Sequence, residues 1–212
     1  MKLDKRTIAE GGLELLAAGG LKNLTTRRLA DHFGIKSASL YHHFRSKQQL
    51  LDHVADAMIH PALQPAATGE PWHEWIVSVA AALRRCILAY PDGGLLYAGA
   101  SPPVEIQDER VDFLYKPLLD AGLSRDVTRD TVLAVIRFTI GWVVDEQVAV
   151  SRGAGRPGEM SGHGFEFGVR ALVQGVLSGC RSPAYQPPHP AHQQRIEARA
   201  SAAPHRYQAP RS

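Results

Sequence analysis

The sequence predicts an all-α protein of two helical domains followed by a polar tail. Three observations carry that expectation. Apolar residues recur at helical spacing in almost every segment, with Ser, Thr or Asp in front and Gly or Pro behind. No segment reads as a convincing strand, and none repeats another. The stretch PALQPAATGEP, residues 61–71, breaks the pattern with Pro, Ala and Gly and reads as a connector. The expected division is 1–60, 61–181 and a disordered tail at 182–212, where Pro, His, Gln, Ala and Arg occur without hydrophobic period.

Each element has its own local reason. Asp4 caps a helix over 5–18, stopped by Gly19-Gly20. Thr25 caps a short second helix through Phe33, which Gly34 ends, and Ser37 opens a third through about Phe44. Ser46 caps a fourth, connecting helix over 47–60, closed by Pro61. Residues 72–90 form a helix rich in apolar side chains; PDGG at 91–94 is a turn, followed by a short apolar segment to Ala100. A helix from Val104 to Ala121, bent at Pro117, ends at Gly122, and Ser124 caps a long one to Ser151. The polar loop 152–164 precedes a last apolar helix, Phe165 to Ser178.

A chain of 212 residues with 44 % apolar content is long enough to bury a sizeable core. No run of about 18 apolar residues could span a membrane, and the N-terminus lacks a signal-peptide core, so a cytoplasmic location is expected. Cys86 and Cys180 stand far apart without ligand spacing, which argues against a disulfide framework or a zinc site. Charge is unevenly spread. Residues 1–60 hold nine Lys/Arg against six Asp/Glu, 61–181 hold eleven against fourteen, and the tail holds four against one. A basic front on an acidic body suits binding of an anionic polymer at one end.

The stretch LTTRRLADHFGIKSASLYHHFRSK at 24–47 places two short helices around a Gly-containing turn, the helix-turn-helix geometry. Leu29, Ala30, Phe33, Ile35, Leu40 and Phe44 would pack inward, leaving Lys36, Ser37, Ala38, Ser39, Tyr41, His42 and His43 outward. Hydroxyls and imidazoles bond phosphates or base edges, and small Ala and Ser admit a close approach to thymine methyls. Thr26, Arg27 and Lys47 sit at helix N-termini that already favour a phosphate. A Gly-interrupted helix pair also occurs in all-α proteins that bind no DNA. His42 and His43 are adjacent on a helix, point about 100° apart and do not chelate one metal.

The same stretch, continued by QQLLDHV, resembles the DNA-binding signature of the tetracycline-repressor (TetR) family: Leu-Thr-Thr-Arg, Leu-Ala, a turn Gly, then Leu-Tyr-x-His-x-x-x-Lys. The resemblance implies a homodimeric, ligand-responsive repressor bound to a palindromic operator. It puts Thr26, Arg27, Tyr41, His43 and Lys47 at phosphate-contacting or groove-facing positions, and Lys36, Ser37, Ala38, Ser39 and His42 where the family varies and reads sequence. The segments WHEWIVSVAAALRRCILAYPDGGLLYAGASP, FTIGWVVDEQ and FEFGVRALVQGVL are similar in order and spacing to the regulatory domain of the family's tetracycline-responsive branch. There the long helix and the last helix form a four-helix dimer bundle, which here would use Ile136, Leu172 and Val176.

That branch holds a metal-chelated drug through a His after the PDG turn, a Thr, an Asn, a Phe and a Gln. A gapless reading puts Tyr97, Ala100, Val79, Leu83 and Phe113 in their places; only Asp145 keeps an acid where that branch has a Glu. The implied pocket is apolar and aromatic, with Trp75, Phe138 and Trp142 added and His60 as a further polar handle. Aromatic residues at helical spacing also serve as plain core. No metal, cofactor or catalytic residue is expected, because the chain lacks Gly-x-Ser-x-Gly, a phosphate-binding loop, HExxH and paired catalytic carboxylates. The expectation is a repressor released by a small hydrophobic or aromatic molecule; the alternatives are a helical enzyme or a ligand-free interaction module.

Overall fold

The computed structural model describes residues 3–101, 103, 107–153 and 162–181. Their elements are helical: α1 Lys5–Gly19, α2 Thr26–Phe33, α3 Ser37–Leu40, α4 Lys47–Ile59, a 3₁₀ turn His60–Ala62, α5 Trp72–Leu88, α6 Gly93–Ala98, α7 Gln107–Asp120, α8 Arg125–Ser151 and α9 Gly162–Arg181. Asp4, Thr25, Ser46 and Ser124 each accept a backbone N–H from three residues on, capping α1, α2, α4 and α8. Pro117 lies inside α7. The expected start at Val104, the loop 154–161 and the tail lie outside the described residues.

The third helix is shorter than its sequence suggests. After Leu40 the chain tightens into three-residue turns, with Tyr41, His42 and His43 N–H bonded to Ala38, Ser39 and Leu40 carbonyls at 3.2, 3.3 and 3.0 Å. The turn rotates Phe44 inward, where it is 2 % exposed.

The unit Met1–Val176 is held by one continuous core. Ile8, Leu16, Leu29, Leu40 and Val54 join α1 to α4, and Met58, Ile59, Leu83, Ile87, Leu96 and Val143 carry the same core on into α5, α6 and α8. Burial of such side chains is worth about 1.5–3 kcal/mol each. A packed interior leaves little room for independent motion, and α4 and α6 share this core. The second unit, Leu177–Ser212, enters the described residues only as the end of α9.

Hydrogen bonds fasten α6 to the N-terminal helices at both ends. Asp92, before α6, sits in the left-handed region at φ 58° and accepts the Leu21 N–H at 3.0 Å through Oδ2. Beyond α6, the Gly99 carbonyl accepts from Gln48 Nε2 at 2.9 Å, and the Ser101 N–H donates to Asp52 Oδ1 at 3.0 Å. Gln48 and Asp52 are both on α4.

Candidate DNA-binding face and effector cavity

The ten residues expected to meet DNA fall at three places on the N-terminal helices. Thr26 and Arg27 open α2, where the Thr25 hydroxyl accepts the Arg28 N–H at 3.2 Å. Gly34, at φ 64°, ends α2 in the left-handed conformation and turns the chain toward α3. Lys36, Ala38 and His42 are exposed, Ser37, Ser39 and His43 are half-buried, and Tyr41 is 54 % exposed. The exposed Tyr41 ring carries a hydroxyl at its tip that can donate to a phosphate.

Lys47 opens α4 behind a double cap: Ser46 Oγ accepts the Gln49 N–H at 3.1 Å, while Gln49 Oε1 accepts the Arg45 N–H at 2.7 Å. The cap fixes the chain direction from which the exposed Lys47 projects. Gln49 was not singled out by the sequence reading, although a polar residue three positions after a capping Ser is a signal for it.

Below these helices lies a cavity of about 360 Å³. Its walls come from α4 (Ala55, Asp56, Ile59), α5 (Val79, Leu83), α6 and the residues after it (Tyr97, Ala100), α7 (Arg110, Leu114) and one stripe of α8 (Leu133, Ile136, Arg137, Ile140). The lining is mostly aliphatic. Burial pushes the Tyr97 phenol above its ordinary pKa, Asp56 adds to the rise and Arg110 opposes it, so the hydroxyl stays neutral. A second, more open cleft of about 630 Å³ lies between α1, α4 and α7 and contains His53, His60 and Phe113. Asp56, Arg110 and Leu63 line both spaces.

The expected ligand residues therefore separate. Val79, Leu83, Tyr97 and Ala100 line the cavity. His60 and Phe113 line the outer cleft. Trp75 is buried beside the outer cleft, its ring centre 5.7 Å from that of Phe113 and its Nε1 donating to the Gln64 carbonyl at 3.1 Å. Phe138 and Trp142 occupy the other stripe of α8, at 5.9 and 6.0 Å from the α9 residue Phe165. Asp145 is exposed and off the cavity wall, because neighbours on a helix point about 100° apart; the inward acid is Glu146. Ile136, expected in the dimer bundle, faces the cavity, while Leu172 is 37 % exposed and Val176 half-buried on α9.

Two ion pairs at this level were not anticipated. Glu146 takes Arg84 Nε and Nη2 at 3.0 and 2.5 Å, with the guanidinium 5.3 Å from the Phe165 ring centre. Arg110 pairs through Nη2 with Asp56 Oδ1 between α7 and α4. Long separation in sequence hid both. Among the described residues no three His, Cys, Asp or Glu side chains converge on a metal position.

Residues 8–54 match the family described as "Bacterial regulatory proteins, tetR family", and residues 64–162 match "Tetracyclin repressor-like, C-terminal domain". The chain belongs to the TetR family. Its relative in Escherichia coli, the tetracycline repressor protein of class C, is 36 % identical over 151 residues, covering 70 % of this chain and 68 % of that one. A TetR variant from Acinetobacter baumannii AYE in complex with minocycline superposes with a TM-score of 0.76 at 28 % identity, over 88 % of this chain and all of that chain. BioQ with its double-stranded DNA operator gives 0.66 at 28 % identity, over 82 % and 98 % of the two chains. As a TetR-family member the chain is a ligand-responsive, DNA-binding transcriptional regulator. These relatives are regulators rather than enzymes, and no described helix is long and apolar enough to cross a membrane.

Proposed function

We propose that this TetR-family regulator is a homodimeric repressor, released from a palindromic operator when a small apolar or aromatic molecule occupies the cavity between α4, α5, α6, α7 and α8. The observation that carries the reading is the cavity wall: four helices contribute aliphatic side chains, and no imidazole is among the described lining residues. A magnesium-chelated drug, which the family's tetracycline-responsive branch takes, does not fit this lining. Its carboxylates are engaged, Asp52 with Gln48 and the Ser101 N–H and Asp56 with Arg110, and His53 and His60 belong to the outer cleft. Hard divalent cations need several free oxygens in one place.

The DNA reading assigns Thr26, Arg27, Tyr41, His43 and Lys47 to phosphates and Lys36, Ser37, Ala38, Ser39 and His42 to bases, as the family resemblance implies; the similar BioQ binds an operator duplex. Dimerisation through α8 and α9 would cover Phe167, Val148 and Leu172, which are 70, 38 and 37 % exposed. Occupancy of the cavity would act on α4 directly through Ala55 and Ile59, and on α6 through Tyr97; the bonds at the ends of α6 carry the displacement to the recognition helices.

The test begins with recovery of bound fragments from genomic DNA by the purified protein. The expected product is a near-palindrome whose half-sites lie about one helical turn, roughly 34–36 Å, apart. Tyr41→Ala and Lys47→Ala should weaken binding to every duplex, whereas Ser37 and Ser39 substitutions should change which half-site wins. Retention of full affinity in both first variants contradicts the assignment of this face. A stable monomer by sedimentation contradicts the dimer.

A further inference from the structure

The Asp56–Arg110 pair is a wall between two spaces and also the most polar part of the cavity. Arg110 is 11 % exposed and Asp56 21 % exposed, so neither is a freely hydrated surface charge. A guanidinium has five N–H donors, and Arg110 uses one described hydrogen bond, from Nη2 to Asp56 Oδ1. Tyr97 faces the same space with a neutral hydroxyl that donates to no described residue, and Arg137, itself solvent-exposed, adds a second guanidinium to the lining. Asp52 is already tied by Gln48 Nε2 and the Ser101 N–H, both at its Oδ1. Arg110 and Tyr97 thus bring more donors to the cavity than the described residues match with acceptors.

We infer that the effector is an amphipathic anion, an apolar body bearing a carboxylate or similar acidic head, and that its head takes Arg110 from Asp56. This rests on the cavity being the effector site. An acidic head with two free oxygens can accept two parallel N–H bonds from a guanidinium, where Asp56 accepts one. The exchange leaves Asp56 beside a second negative charge without its cation. Like charges at such range in a partly dry site repel, so the bound anion drives Asp56 outward, and Asp56 is part of α4. Binding and release from DNA are then coupled by one partner exchange at the wall.

Two fluorescent probes of nearly the same aromatic body separate charge from apolar fit: anilinonaphthalene sulfonate, an anion, and N-phenylnaphthylamine, which is neutral. Both are titrated against the full chain, with melting curves to check that each variant is folded. In the wild type the sulfonate should bind at least about tenfold more tightly, equivalent to about 1.4 kcal/mol. Arg110→Met should abolish that preference, weakening the sulfonate far more than the naphthylamine. Asp56→Asn should widen it, because the competitor for Arg110 is gone; this opposite sign is what a general loss of packing cannot produce. Leu83→Trp, which fills the cavity, should remove both probes. Equal affinities that neither charge variant moves, with both probes still lost in Leu83→Trp, overturn the anionic effector and leave the apolar cavity standing. A preference for a cationic probe, strengthened by Arg110→Met, overturns it equally. Binding of both probes that ignores Leu83→Trp overturns the cavity as the effector site, and the inference with it.

Discussion

The junctions α5–α8 and α4–α7 are each closed by one arginine and one carboxylate, yet they have different work. At the first, Glu146 receives two bonds from Arg84, the side chains are 5 and 10 % exposed, and the Phe165 ring covers the guanidinium. At the second, Asp56 receives one bond from Arg110, and both residues face open volume on two sides. A buried carboxylate with both oxygens bonded to one covered guanidinium is a fixture whose partner is not exchanged; an ion pair that faces open volume, with one carboxylate oxygen bonded, is a place for a ligand. The lesson is that an ion pair's geometry and its open neighbours, not its chemistry, separate structure from switching.

That contrast is broken most sharply by removing one partner from each pair. Arg84→Met leaves Glu146 as an unpaired buried charge and should cost about 3–5 kcal/mol, seen as a large fall in melting temperature. Adding Glu146→Leu should recover much of the loss, since an apolar pair of similar volume fits the same site. Smaller, but still clear, is Gly93→Ala: a Cβ there runs into the Ile87 carbonyl oxygen, which is backbone and cannot swing away. The expected cost is about 1–3 kcal/mol, measured by urea unfolding. Arg110→Met should cost only about 1 kcal/mol, because the Asp56 left behind can hydrate from the cleft, while its effect on ligand binding is large. Smallest is Arg170→Ala, which removes exposed bonds to Glu74 and Glu166 and should leave the melting temperature unchanged within error. If Arg110→Met proved as destabilising as Arg84→Met, the two junctions would be equivalent and the comparison would fail.

The N-terminal helices were legible in the sequence because their determinants are local. Thr25, Gly34 and Ser46 each act within a few residues, so the limits of α2 and the start of α4 follow from caps alone. Leu40 and Phe44 announced their burial by spacing; the tightening after Leu40 did not show, because a three-residue turn still carries Phe44 inward. The cavity was only half legible. The family resemblance pointed at Val79, Leu83, Tyr97 and Ala100, which line it, but α8 carries apolar residues on more than one side. Composition cannot say which stripe of such a helix meets a cavity and which meets another helix. So Phe138 and Trp142 went with the pocket in the sequence, whereas their neighbour is Phe165. Arg110 and Glu146 are charged residues whose partners lie more than fifty positions away, and pairings of that range exist only in the fold.

The proposed function requires that occupancy of an apolar cavity, without a metal, lowers affinity for DNA. Linkage makes it measurable from either end: a ligand that favours the DNA-incompetent state must itself bind less tightly when DNA is present, by the same factor. The direct measurement is fluorescence anisotropy of the recovered operator duplex bound to the full chain, titrated with anilinonaphthalene sulfonate in EDTA and again in magnesium. Release of the duplex is expected in both buffers, by about 1–3 kcal/mol of coupling, and is lost in Leu83→Trp. A complex that the probe leaves intact in EDTA, and that dissociates only when magnesium is present, contradicts it.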